Sequence, residues 1–165
     1  MIPSICWLGI HFDRKLLFNH HVKKISTKAK AALGCIAMLS NIVQGLSHLN
    51  LRTLYRTCIL PIITYASTVW WTKKDAYAKA LSWIQNRALW IICAAFKTTP
   101  IQALEIEVAI PPIYLHLDYL ERKAGIHLNR LSIANPVIYC LSTVWTQTEN
   151  SAPRQEINPL PKGST

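Results

Sequence analysis

Residues 19–43, NHHVKKISTKAKAALGCIAMLSNIV, carry the clearest periodic signal in the chain. Val22, Ile25, Ala29, Ala32, Leu33, Ile36, Leu39 and Val43 recur at helical spacing, and at about 100° per residue they fall on one arc. His20, Lys23, Lys24, Lys28 and Lys30 fall on the opposite arc. The pattern predicts a long helix with one face that packs and one that is cationic. Gly45 is the expected stop, because glycine tolerates the left-handed backbone at a helix C-terminus.

Outward from this helix the chain reads as further helices. Upstream, residues 5–12 (ICWLGIHF) are rich in β-branched and aromatic types and stop at Asp13-Arg14. They predict a single short strand, and since a lone strand needs a neighbour, its sheet partner is expected outside this sequence. Downstream, Ser47 can cap a helix over 49–70 with Leu51, Leu54, Tyr55, Cys58, Ile59, Ile62 and Ile63 inward. Pro61 predicts a kink or break near Leu60. A third helix spans 75–96, with Tyr77, Leu81, Ile84, Ala88, Ile91 and Ala95 on one face. In TTPIQALEIEVAI (98–110), Thr99 can cap, Pro100 suits the first helical position and Gln102 completes a capping box, so a short helix to about residue 108 follows. Ile110-Pro111-Pro112 is a rigid turn, and 112–131 is a last amphipathic helix with Ile113, Leu117, Leu120, Ala124, Leu128 and Leu131 inward. The expected fold is mainly α: a bundle of about five helices with one short N-terminal strand and a disordered C-terminal tail. The expected division is a strand or hairpin segment at 1–18, a helical domain at 19–136 and a linker or tail at 137–165.

Composition narrows the partner class. The 165 residues are 51% apolar and 16% charged, enough apolar material for one core. The formal net charge is +10 and the pI near 9.6, which favours a polyanionic partner. The basic surface is localised: up to residue 60 the bases are Arg14, Lys15, Lys23, Lys24, Lys28, Lys30, Arg52 and Arg56, and the only acid is Asp13. Six Trp are many for this size, and predict either a well-filled core or rings that await a partner surface. Five irregularly spaced cysteines (Cys6, Cys35, Cys58, Cys93, Cys140) read as buried free thiols in a reducing compartment, cytoplasm or nucleus. The N-terminus has no signal-peptide pattern. Mean hydropathy is +0.19, yet the longest uncharged runs, 57–72 and 131–148, hold fewer than the ~20 predominantly apolar residues a membrane span needs.

Chemistry-bearing groups are sparse. Metal-dependent polymerases and nucleases need clustered carboxylates, whereas Asp13, Asp75 and Asp118 are far apart and Glu105 and Glu107 lie on different faces of a short helix. His20-His21 read as side chains at the start of a helix that hydrogen-bond locally. Cys6 and His11, five apart on a strand, fall on opposite faces. There is no glycine-rich phosphate loop and no zinc-ligand spacing. No catalytic residue, metal, cofactor or small-molecule substrate is therefore assigned. What remains is the basic face of the first helix with Arg14 and Lys15 beside it, and more weakly Arg52, Arg56, Lys73 and Lys74. Such cations neutralise phosphates without reading bases.

The order of several pieces resembles the segment that follows the catalytic palm in LINE-type, non-LTR retrotransposon reverse transcriptases, most closely the fungal kind. The pieces are WLGIHFDRKLLFNHHV (7–22), KAKAALGCIAMLSNIVQGLS (28–47), LRTLYRTCILPIITYASTVWW (51–71) and LSWIQNRALWIICAAFKTTPIQALEIEVAIPPIYLHLDYLERKA (81–124). NPVIYCLSTVW (135–145) is similar to the stretch leading toward a ribonuclease H domain. The resemblance implies that the Trp7-Leu8-Gly9 strand lies at the final hairpin of a palm, at its edge, and that the helices form a thumb and connection. It implies RNA/DNA template–primer as the partner, with Lys23, Lys24, Lys28 and Lys30 on phosphates, and Tyr65, Trp70, Gln85, Arg87 and Pro100 in structural positions. It also implies that some Trp rings pack on a palm surface. The paired aspartates of the palm are absent from this sequence, so no polymerase activity is expected of it alone. It reads as the remnant, decayed or domesticated, of a longer element. Where the pattern often has Tyr-Gly, this chain has Tyr65-Ala66. The alternatives are a protein–protein interaction module or a peripheral membrane helix bundle with no nucleic-acid role.

Overall fold

The computed structural model describes residues 4–40, 45–131, 135–138 and 140. Its first element corrects the single-strand expectation. Strand β1 (Ser4–Trp7) pairs antiparallel with β2 (Ile10–Asp13), with Trp7 opposite Ile10 and Ser4 opposite Asp13. The sheet partner thus lies within the same run of residues. Leu8 (φ 49°) and Gly9 (φ 80°) make the two-residue turn, a geometry that demands left-handed backbone at both positions. Leu at the first of these is strained by about 1–2 kcal/mol. The Tyr65 hydroxyl donates to the Leu8 carbonyl at 2.8 Å and holds the turn from across the fold.

A loop leads to α1 (Asn19–Leu39). Within it the Asp13 carboxylate accepts the Phe18 N–H at 2.9 Å, a hydrogen bond that holds its pKa below the usual range. Phe18 itself sits at φ 55° and offers no side-chain cap to the helix. Val22, Ile25, Ala29, Leu33 and Ile36 are buried as the periodicity predicts, while Leu39 is exposed. The helix ends six residues before Gly45: the Ser40 hydroxyl and N–H both bond the Ala37 carbonyl, an alternative to a glycine stop. Val43 lies outside the described residues.

Helix α2 (His48–Leu54) starts at Ser47, whose Oγ accepts the Asn50 N–H at 3.4 Å. The predicted disruption near Leu60 takes the form of a π-turn, Tyr55–Ile59, leading into α3 (Leu60–Thr64). The Leu60 N–H bonds the Tyr55 carbonyl five residues back, and the widened turn makes room for the Pro61 ring. Buried positions therefore recur at Leu51, Tyr55, Ile59 and Ile63, four apart. Cys58 drops off that stripe and is exposed, contrary to its predicted inward place. Cys6, Cys35 and Cys140 are exposed too and Cys93 is half-buried, so the expectation of buried thiols is corrected.

At Ala66 (φ 49°) the chain turns into α4 (Ser67–Trp70), which carries Trp70 inward. Trp70 is fully buried and donates its indole N–H to the Tyr65 carbonyl at 2.8 Å. Trp71 donates to Asp118 at 2.7 Å. Helix α5 (Asp75–Ile92) packs along α1, with Tyr77, Leu81, Ile84, Ala88 and Leu89 in the core. Gln85 is also buried, and its Nε2 donates to the Pro111 carbonyl at 2.9 Å, tying α5 to the proline turn. Helix α6 (Ile101–Val108) begins one residue later than expected: Pro100 is the N-cap, with extended backbone (ψ 133°), and no side chain caps it, so Thr99 and Gln102 form no capping box. Helix α7 (Ile113–Asn129) buries Ile113 and Leu117. Leu128 and Leu131, predicted inward, are exposed.

By its contacts the chain divides into Met1–Ala124 and Gly125–Thr165. In the second, Asn135 Oδ1 accepts the Val137 N–H at 3.0 Å and starts a helical turn. Most of the expected tail, 141–165, lies outside the described residues. Among the described residues no helix is long and apolar enough to cross a membrane.

Candidate nucleic-acid interface

The solvent face of α1 is held in place by its buried face. Ala29 and Leu33 anchor the helix in the core, so Lys23, Lys24 and Lys28 must project outward. With His20 and Thr27 they line a shallow groove along the first half of the helix. Thr27 bonds the Lys23 carbonyl at 3.0 Å, and its hydroxyl stays within the helix's own surface.

The hairpin crosses the start of this helix and adds histidines to the cations. The His11 ring stands edge-on to His20, with centroids 5.2 Å apart, and 6.1 Å from His21. His20 shares a 3.3 Å hydrogen bond with the Ser4 hydroxyl, and His21 Nδ1 accepts the His11 backbone N–H, also at 3.3 Å. The histidine pair is thus bonded to the hairpin, 16 and 10 residues away, where local hydrogen bonds were expected. The same hairpin makes Cys6 and His11 cross-strand neighbours. The opposite-face expectation holds only for a single uninterrupted strand, and the turn overturns it.

The electrostatics follow from this crowding. His21 is buried beneath Trp70, ring centroids 5.9 Å apart. Burial, then the charges of His11, Lys28 and His20, lower its pKa from 6.5 to about 4. Burial and then Lys24 also push His11 below the usual histidine range. For both rings burial is the largest cause, and the neighbouring lysines add to it. Among the described residues no set of three or more His, Cys, Asp and Glu side chains is arranged to hold a metal ion.

The other predicted cations are distributed differently. Arg14 and Lys15 are exposed in the loop between β2 and α1. Lys30 leaves the groove and places its ammonium 4.9 Å from the centroid of the Trp83 ring on α5. Arg52 lines a separate cleft with His48, Leu49, Ile92, Cys93, Glu107 and Val108. Arg56 is exposed, and its charge is felt by His116 of α7, whose pKa falls chiefly through burial and then through that charge. Lys73 pairs with Glu121 at 3.0 Å, and Lys74 lies 5.4 Å from the Tyr77 ring centroid. The structure therefore groups Lys23, Lys24 and Lys28 and disperses the rest. In the sequence His11 is weighed only as a partner for Cys6, and Trp83 is not singled out. For Trp83 a signal exists: Lys79, Trp83 and Arg87 are spaced four apart, one line along a helix.

Two curated proteins are similar to this chain. One is a retrovirus-related Pol polyprotein from the type-1 retrotransposable element R1 4 of Nasonia vitripennis, 26% identical over 114 residues, which are 69% of this chain and 29% of that protein. The other is a probable RNA-directed DNA polymerase from the transposon X-element of Drosophila melanogaster, 29% identical over 132 residues, 78% of this chain and 14% of that protein. The chain thus spans less than a third of each relative's length. Both relatives are insect proteins, whereas the expected resemblance is closest to the fungal kind. No family model and no solved structure matches the chain.

Proposed function

We propose that this chain is part of a retrotransposon RNA-directed DNA polymerase, a thumb-like helical region that grips template–primer nucleic acid and does no polymerase chemistry by itself. The observation that carries the reading is the exposed lysine groove of α1, on a chain similar to two retrotransposon proteins. Lys23, Lys24 and Lys28 would meet backbone phosphates of an RNA/DNA duplex, with His20 beside them and Arg14 and Lys15 at the helix approach. Ammonium groups on a regular helix reach phosphates without discriminating bases, which suits a duplex of any sequence. The setting is intracellular, in cytoplasm or nucleus.

A protein surface is the second partner in this reading. Ile5 (74% exposed) and Trp7 (67% exposed) lie on the same hairpin face as buried Ile10, on a strand with a free outer edge. Apolar side chains on an open edge invite a further protein surface, here the palm of the same polymerase.

The test is equilibrium binding to a blunt RNA/DNA hybrid across a salt series. Three phosphate contacts predict that replacing Lys23, Lys24 and Lys28 by Glu lowers the slope of log K against log salt by about 2–3. Binding that ignores salt, or that survives the replacements, overturns the reading. Salt-independent capture by a protein partner would establish the interaction-module alternative, and partitioning onto vesicles the peripheral-membrane one.

A further inference from the structure

We propose that the notch between α1 and α5 around Trp83 is a stacking site for an unpaired base of single-stranded nucleic acid, with Lys30 and Arg87 as its phosphate contacts. The inference rests on the nucleic-acid reading above and adds a second mode of contact to it.

Trp83 is the half-exposed aromatic of an otherwise core-facing helix, 50% accessible, while its neighbours Leu81, Ile84 and Gln85 are buried. Its ring is flanked by two cations from two helices: the Lys30 ammonium at 4.9 Å and the Arg87 guanidinium at 5.7 Å from the centroid. The floor of the notch is Leu33, Gly34 and Ala37 of α1. Gly34 matters here, because a Cβ at that position would meet nothing within 4 Å. The space beside the ring is open, and the residues bounding it are small or apolar.

This combination has a chemical reading. Lys30 and Arg87 are long, exposed side chains held over the ring by cation–π attraction, free to swing aside when a base takes the ring face. A planar base can stack on the accessible part of the indole, and the two cations then stand where the flanking phosphates of a flexible strand pass. Aromatic platforms with adjoining cations bind single strands in this way irrespective of sequence. A duplex cannot use the site, since its bases are already stacked.

The notch lies farther along the same helix as the lysine groove. Lys23 and Lys30 are seven residues apart on α1, two turns along one line and about 10 Å of helix rise. A strand leaving a duplex held at Lys23, Lys24 and Lys28 would run along the same helix to Trp83. Lys79, exposed and four residues before Trp83, extends the cationic line on α5.

The experiment compares a short oligo-dT with a blunt RNA/DNA hybrid by fluorescence anisotropy, using the full chain. Trp83→Ala should weaken oligo-dT binding about 5- to 100-fold while leaving hybrid binding within about twofold. Trp83→Phe should restore most of the loss, because a smaller ring still stacks. Gly34→Leu, which introduces a better helix former into α1 and fills the notch, should weaken oligo-dT binding in the same selective way. Equal losses on both ligands would mean that Trp83 acts only by holding the fold, and unchanged oligo-dT binding would remove the site; either result overturns the proposal. The two readings fail separately: hybrid binding that survives the lysine replacements overturns the groove, and oligo-dT binding that survives Trp83→Ala overturns the notch.

Discussion

Trp70 and Trp83 stand only 13 residues apart in the chain and are used in opposite ways. Trp70 has no accessible surface, its indole N–H is bonded to the Tyr65 carbonyl, and His21 and Trp71 stand edge-on to its ring. Trp83 keeps half its surface in solvent and meets two cations. A large ring that also carries a polar N–H is buried at least cost where that N–H finds an acceptor. The turn at Tyr65-Ala66 supplies one for Trp70, and Asp118 supplies one for Trp71. The choice posed by the tryptophans, core or uncovered surface, is answered both ways: Trp70 and Trp71 fill the core, Trp7 and Trp83 face outward, Trp90 is half-buried, and Trp145 lies outside the described residues.

The largest effect that follows is on stability. Trp70→Ala should cost about 3–5 kcal/mol in denaturant unfolding, since it empties a fully enclosed site and frees the Tyr65 carbonyl. Trp83→Ala should cost less than about 1 kcal/mol, the worth of an exposed cation–π contact. Comparable losses for both would erase the distinction between the two rings.

A pH titration tests the Trp70 side of the comparison through its neighbour. His21 is buried neutral, with its pKa lowered from 6.5 to about 4. The unfolded chain therefore binds the proton first as pH falls, and the stability contributed by burying the neutral ring is full above pH 6.5 and is lost on acidification toward pH 4. The loss over that window should be on the order of 3 kcal/mol. His21→Gln should flatten the profile, and a wild-type curve that is flat from neutral pH down to 4 would mean that the ring is not held neutral.

The smallest effect sharpens the account of how Trp70 is seated. Ala66 occupies left-handed backbone, φ 49° and ψ 30°, at the turn that swings Trp70 inward. Glycine carries no steric penalty there, which gives a physical meaning to the Tyr-Gly pattern from which Tyr65-Ala66 departs. Ala66→Gly should raise stability by about 0.5–1 kcal/mol in thermal unfolding, the relief of strain exceeding the added freedom of the unfolded chain. A loss of stability would show that the turn carries no strain.

Much of this could be read before any tertiary structure. The amphipathic arc of α1 was legible because five of its inward positions repeat at helical spacing and its lysines share the other side. The placement of the main helices followed from the same periodicity, as did the Ser47 cap and the disturbance at Pro61, although the stretch expected as one helix over 49–70 is divided into α2, a π-turn, α3 and α4. Residue pattern alone reads as one strand where a hairpin stands, because Leu8-Gly9 lacks the Asn-Gly or Asp-Gly turn chemistry and depends on a hydroxyl from Tyr65, 57 residues away. Cys58 was misplaced because a π-turn changes the period from 3.6 toward four residues, and only the widened hydrogen bond reveals it.

By itself, then, the order of residues determined which segments coil and that α1 is cationic on one side, because both are properties of neighbours along the chain. Which cations share a surface, which histidines are shielded and which indoles find an acceptor were decided only when the hairpin crossed α1 and α5 packed along it. Those outcomes depend on distances between residues far apart in sequence, and periodicity carries no information about them.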